Sequence, residues 1–183
     1  QLGWRDLDSV FLGPAFNDDQ MTDSGYPRTV QIWERGTPVE SATTVFEGEK
    51  SDVAVSGVRI WDGDVFHDLI VRSPSFFTRQ IHVYRDGKTH RVQIPDDAEL
   101  VGLLNGQMLV ELKSDWTQAG QTYPQGALIA AAMDDFLADD VQPEVVFAPG
   151  DRSSISQVVT TDQAVIVNVL DNVVAHFVRF VYA

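Results

Sequence analysis

The chain has 183 residues, of which 44% are hydrophobic and 22% are charged, proportions typical of a folded globular protein. Its formal net charge of −14 repels nucleic-acid phosphates and anionic lipid surfaces, so neither nucleic acid nor a membrane is an expected partner. The absence of cysteine excludes disulfides and a cysteine nucleophile. No apolar run reaches the roughly 20 residues that span a bilayer, and Gln1 to Asp6 lacks signal-peptide features. A soluble protein is expected, cytoplasmic or periplasmic.

Alternating and β-branched apolar residues predict short strands through the first half of the chain. The loop Ser24 to Pro27 precedes one of them, because Pro27 fixes its own φ and Gly25 permits a tight bend. The predicted strands are Ser9 to Leu12, Thr29 to Glu34, Thr43 to Glu47, Val53 to Trp61 and Val65 to Val71.

Pairs of turn-forming residues between apolar stretches predict three β-hairpins. The pairs are Asp86-Gly87, Asn105-Gly106 and Asp171-Asn172. At the first hairpin, alternation places Ile81 and Val83 on one face of the strand. The strands of the third, Ala164 to Leu170 and Val173 to Phe180, are apolar on both faces and are therefore predicted to be covered on both faces.

The remaining predicted elements are strands at Ala127 to Met133 and Val145 to Phe147 and one short helix at Asp134 to Ala138. The strands form clusters at roughly 4–48, 51–95, 98–147 and 151–183, which approaches the about 40–45 residues of a propeller blade. We therefore predict an all-β fold, a partial β-propeller of about four antiparallel blades that forms a single domain over residues 1–183. Circular dichroism should show mainly β-structure.

Motifs for catalysis are missing from the sequence. The chain has no Gly-x-Ser-x-Gly nucleophile elbow and no His-Glu-x-x-His zinc motif. No catalytic residue, cofactor site or metal site is predicted, so the chain alone should not hydrolyse peptides. Adjacent carboxylates diverge and do not provide the spacing of a glycosidase, so the acidic pairs are interpreted as turn and cap residues. These pairs are Asp18-Asp19, Asp96-Asp97, Asp134-Asp135 and Asp139-Asp140.

The histidines and tryptophans are interpreted structurally. His82 and His90 flank the Asp86-Gly87 turn, where a cross-strand or surface pair is favoured over a ligand pair. His176 alternates with Val174 and Val178, which predicts a buried, hydrogen-bonded histidine, and His67 belongs to no motif. The large tryptophan rings are expected in the core or in contacts between blades. They are Trp4, Trp33, Trp61 and Trp116.

Three consecutive segments carry a more specific pattern: Trp4-Arg5-Asp6-Leu7-Asp8, then Thr22-Asp23-Ser24-Gly25-Tyr26-Pro27-Arg28, then Trp33-Glu34-Arg35-Gly36-Thr37-Pro38. Their order resembles the propeller of bacterial prolyl oligopeptidase-family serine peptidases, in which the first segment is a strand. Later segments agree, and the resemblance covers nearly the whole chain. The later segments that agree with the family are Val45 to Gly48, Ile94 to Ala98, Ser114 to Trp116, Thr122 to Gly126 and Leu170 to Val173. One segment, Gly13 to Gln20, is less glycine-rich than the corresponding loop of the family.

The resemblance implies a fragment of a larger enzyme. Members of the family combine an α/β-hydrolase domain, which carries a Ser-Asp-His triad, with a propeller that admits only short peptides. The match here is to the propeller alone, so the triad residues and the catalytic domain lie outside this chain. The implied partners are that catalytic domain and short peptide substrates.

Two functions from different classes stay open. The first is a propeller fragment that gates access to a peptidase domain, and the alternative is a stand-alone interaction module built of β-blades that binds a protein or peptide. An incomplete propeller exposes apolar blade faces at its two ends, so self-association through the terminal blades is also expected.

Overall fold

A computed structural model describes residues 1–138 and 141–181. Its regular structure is almost entirely β: the described residues form 17 strands, two 3-10 turns and one short helix. The all-β class is therefore confirmed. The chain divides into two compact units: the first holds Gln1–Trp61 and Phe66–Val92, and the second holds Asp62–Val65 and the residues from Gln93 onward. The single domain over residues 1–183 stays a prediction.

Two four-stranded antiparallel sheets belong to the first unit, apart from the tip of one hairpin. In each sheet every strand pairs with the next strand along the chain. One sheet consists of β1 (Leu2–Trp4), β2 (Ser9–Leu12), β3 (Thr29–Glu34) and β4 (Thr43–Glu47). The other consists of β5 (Ala54–Asp62), β6 (Val65–Ser73), β7 (Gln80–Arg85) and β8 (Lys88–Arg91). The 3-10 turns are Asp18–Gln20 and Val39–Ser41.

The second unit contains a four-stranded sheet, a three-stranded sheet and a small hairpin. The four-stranded sheet consists of β9 (Glu99–Leu104), β10 (Gln107–Glu111), β13 (Leu128–Ala132) and β14 (Glu144–Phe147). The hairpin is β11 (Trp116–Gln118) and β12 (Gln121–Tyr123), and the helix α1 (Met133–Phe136) follows β13. The last sheet consists of β15 (Ser153–Thr160), β16 (Val165–Asp171) and β17 (Val174–Phe180).

Each unit has its own apolar core between two sheets. In the first, buried side chains from both sheets meet around Phe11, Val30, Val55 and Ile70. In the second, the core joins the β9–β14 sheet to β16. Its buried members are Leu104, Leu109, Leu128, Ala130, Val146, Val165, Val167 and Val169. On β16 the buried valines alternate with less buried residues, so one face of that strand faces the core.

Glycine permits close packing in both units, as two positions show. A Cβ added to Gly57 would lie 2.5 Å from Cγ of Phe11, and one added to Gly102 would lie 2.7 Å from Cγ2 of Thr160. Neither site has room for a larger residue, since the neighbours are a core ring and a side chain of an adjacent sheet.

The predicted hairpin turns are present at Asp86-Gly87 and Asn105-Gly106, where both residues have positive φ. Such φ values are those of the type I′ turns that match the twist of two-residue hairpins. The third hairpin also exists, but its turn is Asn172-Val173, because Asp171 pairs with Val174. A turn displaced by one residue changes the strand register by two and keeps every side chain on its face, so alternation does not distinguish the two possibilities.

Several predicted boundaries need correction. The helix runs Met133–Phe136 instead of Asp134 to Ala138, since Met133 and Phe136 lie one turn apart and are both buried. The segment Arg5 to Asp8, predicted as part of a strand, is the turn between β1 and β2. Sequence patterns missed β1, β11, β12 and β15. The mainly polar β15 lacks the apolar alternation that identifies a half-buried strand.

The last strand contradicts the prediction of coverage on both faces. On β17, residues Val174 to Arg179 are all exposed, because within the described part of the chain no other sheet covers either face of this stretch. No helix within residues 1–138 and 141–181 is both long and apolar enough to span a bilayer.

Candidate functional site

The first unit has an open surface pocket of about 620 Å³. Strand β1 and the turn that follows it form one wall, and the adjoining ends of β5 and β6 form the other. Arg35, which follows β3, completes the lining. The lining residues are Trp4, Arg5, Asp6, Leu7, Arg35, Arg59, Trp61 and Phe66.

A carboxylate held by two arginines supports this pocket from below. Arg59 donates from Nε to Oδ1 of Asp68 over 2.7 Å and from Nη2 to Oδ2 over 2.9 Å. Arg5 donates from Nε to the same Oδ2 over 2.9 Å, and its Nη2 lies 2.8 Å from it. The side chains of Arg59 and Asp68 are almost fully buried. Because charges can be buried only when paired and hydrogen-bonded, this arrangement fixes both guanidinium groups.

Asp6 organises the turn at the pocket edge. Its Oδ1 accepts hydrogen bonds from the backbone N–H groups of Asp8 and Ser9, at 2.9 and 2.7 Å, and its Oδ2 accepts one from the Ser9 hydroxyl at 2.9 Å. Arg59 Nη1 lies 3.6 Å from Oδ2 of Asp6. The backbone N–H of Asp8 and the hydroxyl of Ser9 hold the pKa of Asp6 below its ordinary value. These hydrogen bonds from Asp8 and Ser9 keep the turn in place.

The rim of the pocket is aromatic and apolar. The Arg59 guanidinium carbon lies 3.6 Å from the ring centroid of Phe66, a cation–π contact that stacks this arginine on the ring. Phe66 contacts Trp61 edge-on, with ring centroids 5.7 Å apart. Trp4 is 74% exposed and Trp61 is 63% exposed. Large aromatic side chains with this much open surface are typical of contact sites for ligands or partners.

The chemistry of the pocket suits binding better than catalysis. Its described lining holds three arginines and Asp6, and Asp68 lies directly beneath. These five side chains carry an excess of one positive charge, although the whole chain has a net charge of −14. No serine, threonine, cysteine or histidine lies among these lining residues, so the pocket offers no nucleophile or general base of those types. It can hold an apolar or aromatic group against Trp4, Trp61 and Phe66, with Arg35 exposed at the edge.

The structure separates the histidines that the sequence analysis considered. In the β7–β8 hairpin, His82 lies opposite Arg91 and His90 lies opposite Val83, so the two histidines point to opposite faces and do not form a cross-strand pair. His176 is exposed on β17, and the prediction of a buried histidine was wrong because nothing in the described part of the chain packs over this residue. His67 borders a second cavity of about 410 Å³ together with Asp68 and Tyr84.

The acidic pairs and tryptophans also have definite positions. Asp18-Asp19 begins a 3-10 turn capped by Asn17, Asp134-Asp135 lies in the first turn of α1, and Asp139-Asp140 falls outside the described residues. No group of three or more potential metal ligands occurs in the described parts of the chain. The interpretation of all tryptophans as core or blade contacts was wrong for Trp4 and Trp61, which are mostly exposed at the pocket.

Sequence reasoning missed Arg5, Arg59, Asp68 and Phe66. A signal was present for one of them: Asp68 stands before the apolar Leu69 and Ile70 on β6, and a charged residue at the start of a buried run indicates an ion pair. Its two partners come from other strands and loops, so only the folded chain identifies them.

Comparisons with known proteins cover nearly the whole chain. A curated protein from Sinorhizobium fredii, described as an uncharacterized peptidase, is 31% identical over 97% of this chain and 26% of its own length. A second uncharacterized peptidase, from Rickettsia prowazekii, is 27% identical over the same shares. The chain thus spans about a quarter of the length of these curated relatives. No protein-family model matches it.

Solved structures agree with these relatives. The structure of a post-proline cleaving enzyme from Rickettsia typhi matches with a TM-score of 0.90 and 25% identity, over 100% of this chain and 28% of that one. The structure of oligopeptidase B from Leishmania major matches in fold, with a TM-score of 0.63 and 11% identity over 100% of this chain and 24% of that one.

The fold is that of an all-β protein built of successive antiparallel sheets. Its surface pocket is aromatic, and the described lining holds no serine, cysteine or histidine. Within that class, the relatives confirm the resemblance seen in the sequence. The chain is related to the prolyl oligopeptidase-family peptidases and corresponds to the propeller region of these larger proteins.

Proposed function

We propose that the chain is a non-catalytic propeller segment of a longer, serine-type peptidase, in which it restricts access of peptides to a separate hydrolase domain. The observation that carries the proposal is the match in fold over the whole chain to about a quarter of a post-proline cleaving enzyme. The substrates are then short peptides, since a propeller in front of an active site admits chains by size.

The sheet arrangement supports this function. Sheets of four antiparallel strands that follow one another along the chain are the building unit of a propeller. Three of the four main sheets have four strands and the last has three, which supports about four blades in series. The described lining of the pocket supplies aromatic, apolar and charged side chains but no serine, threonine, cysteine or histidine, which suits a binding or docking role better than a chemical one.

The direct test uses the natural reading frame that contains this chain. We expect the complete polypeptide to cleave chromogenic peptides after proline and to be inhibited by a serine-directed reagent, while the purified 183-residue chain shows no turnover. A serine-inhibitor-sensitive activity in the purified chain itself would contradict the proposal.

Gating has its own test in the complete polypeptide. Peptides of increasing length that contain one proline site should be cleaved with falling kcat/KM. Phe11→Ala, which removes a buried core ring of the first unit, should loosen the segment and reduce this length dependence. Glu47→Gln, at a mostly exposed side chain, is the matched control and should leave the length profile unchanged. A profile identical in all three proteins would rule out gating by this segment.

A second candidate is a stand-alone interaction module that binds a protein or peptide. The exposed pocket around Trp4 and Trp61 favours it, because isolated soluble proteins seldom expose such aromatic clusters without a partner. The natural reading frame distinguishes the two: a frame without a strand–Gly-x-Ser-x-Gly–helix segment leaves the interaction module as the function.

A further inference from the structure

The turn between β9 and β10 holds a carboxylate from another hairpin. Asp62, the last residue of β5, accepts a hydrogen bond at Oδ1 from the backbone N–H of Asn105 over 2.7 Å. Its Oδ2 accepts a second one from the backbone N–H of Gly106. All three residues belong to the second compact unit. Both oxygens of one carboxylate are therefore bound by the two N–H groups of a single turn.

The residues of this turn are also a chemically reactive pair. Among the asparagines of the chain, Asn105 alone is followed by glycine. Glycine has no side chain to block the approach of its backbone nitrogen to the side-chain amide carbon of the asparagine before it. Asn105 is exposed, and a Cβ added to Gly106 would have no atom within 4 Å. Water therefore reaches the pair in this chain, and the side chain of Asn105 can be deamidated.

Deamidation needs water as its one co-reactant. The backbone nitrogen of Gly106 bonds to Cγ of Asn105, and its proton passes through solvent to the side-chain amide nitrogen, which leaves as ammonia. The resulting succinimide ring adds water. Opening of one ring C–N bond gives aspartate, and opening of the other gives isoaspartate, in which the main chain runs through the side-chain carbon. Nothing is oxidised or reduced in either step.

Asp62 opposes the first of these steps in two ways. A nitrogen attacks a carbon from about 3–3.5 Å with its orbital aligned, whereas the Gly106 N–H is directed to the carboxylate. The nitrogen must also lose its proton, and a carboxylate beside it disfavours the negative charge that develops. Hydrogen bonds to a charged acceptor are about twice as strong as neutral ones, so this restraint is substantial.

We propose that Asn105 is a deamidation site and that Asp62 sets its rate by holding the N–H of Gly106. The product adds a negative charge to the turn that binds Asp62, and two like charges this close repel each other. Isoaspartate also lengthens the main chain, which removes the type I′ geometry. Deamidation thus releases Asp62 from the turn. The change accumulates with the age of the protein and is independent of the proposed peptidase function.

Tryptic digestion isolates the reacting residue. Cleavage after Arg91 and Lys113 releases residues 92–113, a peptide in which Asn105 is the single asparagine. Mass spectrometry of this peptide measures the replacement of the amide by a carboxyl group. Fragmentation of the peptide then assigns the change to Asn105.

Two variants incubated with the native chain in mildly alkaline buffer test the role of Asp62. Asp62→Ala should deamidate about tenfold faster than the native chain, because the charged acceptor no longer holds the nitrogen. Asp64→Ala is the matched control: it removes the same charge from an exposed position in the same hairpin and should react at the native rate. Circular dichroism checks that both variants are folded. Equal rates for Asp62→Ala and the native chain, or the same acceleration in both variants, would overturn the proposal.

Hydrogen exchange tests the same hydrogen bond without any variant. Gly87 is the internal reference, because it has the same position in the Asp86-Gly87 turn and its N–H has no carboxylate partner in the described part of the chain. The Gly106 amide should exchange at least about tenfold more slowly than the Gly87 amide, since it must first leave Asp62. Equal exchange of the two amides would contradict the restraint.

Discussion

Asp68 shows how one buried carboxylate can hold two sheets of the first unit together. It accepts hydrogen bonds from Arg5 on the β1–β2 turn and from Arg59 on β5, so a single charge joins two sheets at the pocket floor. A buried ion pair adds little stability compared with apolar residues of the same shape, yet breaking it is costly because the remaining charge stays buried. The aspartate therefore fixes geometry more than it raises stability.

Replacing this carboxylate should destabilise the first unit. Asp68→Asn removes the counter-ion of Arg5 and leaves Arg59 with only Asp6, 3.6 Å away, so we expect the free energy of unfolding to fall by about 3–5 kcal/mol in urea denaturation. Glu47→Gln is the control, since Glu47 pairs with Arg28 at the surface and its loss should cost less than about 1 kcal/mol. Equal changes in the free energy of unfolding for the two substitutions would show that burial does not make the loss of the Asp68 charge more costly.

The pKa of Asp6 predicts acid sensitivity at the pocket edge. Because hydrogen bonds from Asp8 and Ser9 lower this pKa in the folded state, ionised Asp6 contributes stability above its unfolded pKa of about 3.9, and the contribution is lost as pH falls through the folded value. The difference in unfolding free energy between the native chain and Asp6→Asn should therefore be constant near pH 7 and shrink below about pH 4. A difference that does not change down to about pH 2 would contradict this assignment.

The turn of the β16–β17 hairpin has a strained backbone conformation. Its turn places Val173 at a φ of 68°, a left-handed conformation that β-branched residues rarely adopt. Val173 is exposed, so no packing interaction holds it there. The pairing of β16 with β17, continuous from Val165 opposite Phe180 to Asp171 opposite Val174, maintains the strained turn.

Relieving this strain should stabilise the second unit. Val173→Gly removes the steric cost of the left-handed conformation, about 1–2 kcal/mol, against a smaller entropic loss, so we expect a net gain of up to about 1 kcal/mol. Val174→Gly, one residue later within β17, should instead destabilise, because glycine weakens a strand interior. Thermal unfolding at a protein concentration low enough to keep the chain monomeric measures both. A lower Tm for Val173→Gly would argue against strain at this turn.

At the scale of the whole molecule, charge opposes association and apolar surface favours it. The net charge of −14 makes two copies repel each other, while β17 and the aromatic pocket expose apolar groups. The range of the repulsion depends on salt, since the Debye length falls from about 30 Å at 0.01 M to about 10 Å at 0.1 M.

Salt should therefore strengthen the self-association of the chain that the sequence predicts. We expect the dissociation constant to fall severalfold between about 0.01 and 0.2 M NaCl, as repulsion between the acidic surfaces is screened. Sedimentation velocity at fixed protein concentration can follow the change. A dimer held together by attraction between opposite charges would weaken over the same range, which would point to a contact other than exposed apolar surface.

Local chemistry determined most of the secondary structure from the sequence alone. Asp86-Gly87 and Asn105-Gly106 fix hairpins because few residues tolerate positive φ, and β2, β3 and β4 begin and end where the sequence predicts. The clusters of strands correspond to the sheets for the same reason, since each strand pairs mainly with neighbours along the chain. The motifs around Trp4, Thr22 and Trp33 also carry the family resemblance within the sequence itself.

Tertiary structure alone decided the site and the exposed surfaces. Asp68 meets Arg5 across 63 positions of the chain, and no local pattern encodes such a contact. His176 and Trp4 were expected to be buried, His176 for its apolar neighbours and Trp4 for its large ring, yet burial depends on which strand or sheet lies alongside. Residues Val174 to Arg179 of β17 are exposed on both faces, because no other sheet of the described chain packs over them. Periodicity fixes which side chains share a face, whereas the arrangement of the sheets decides which faces are covered.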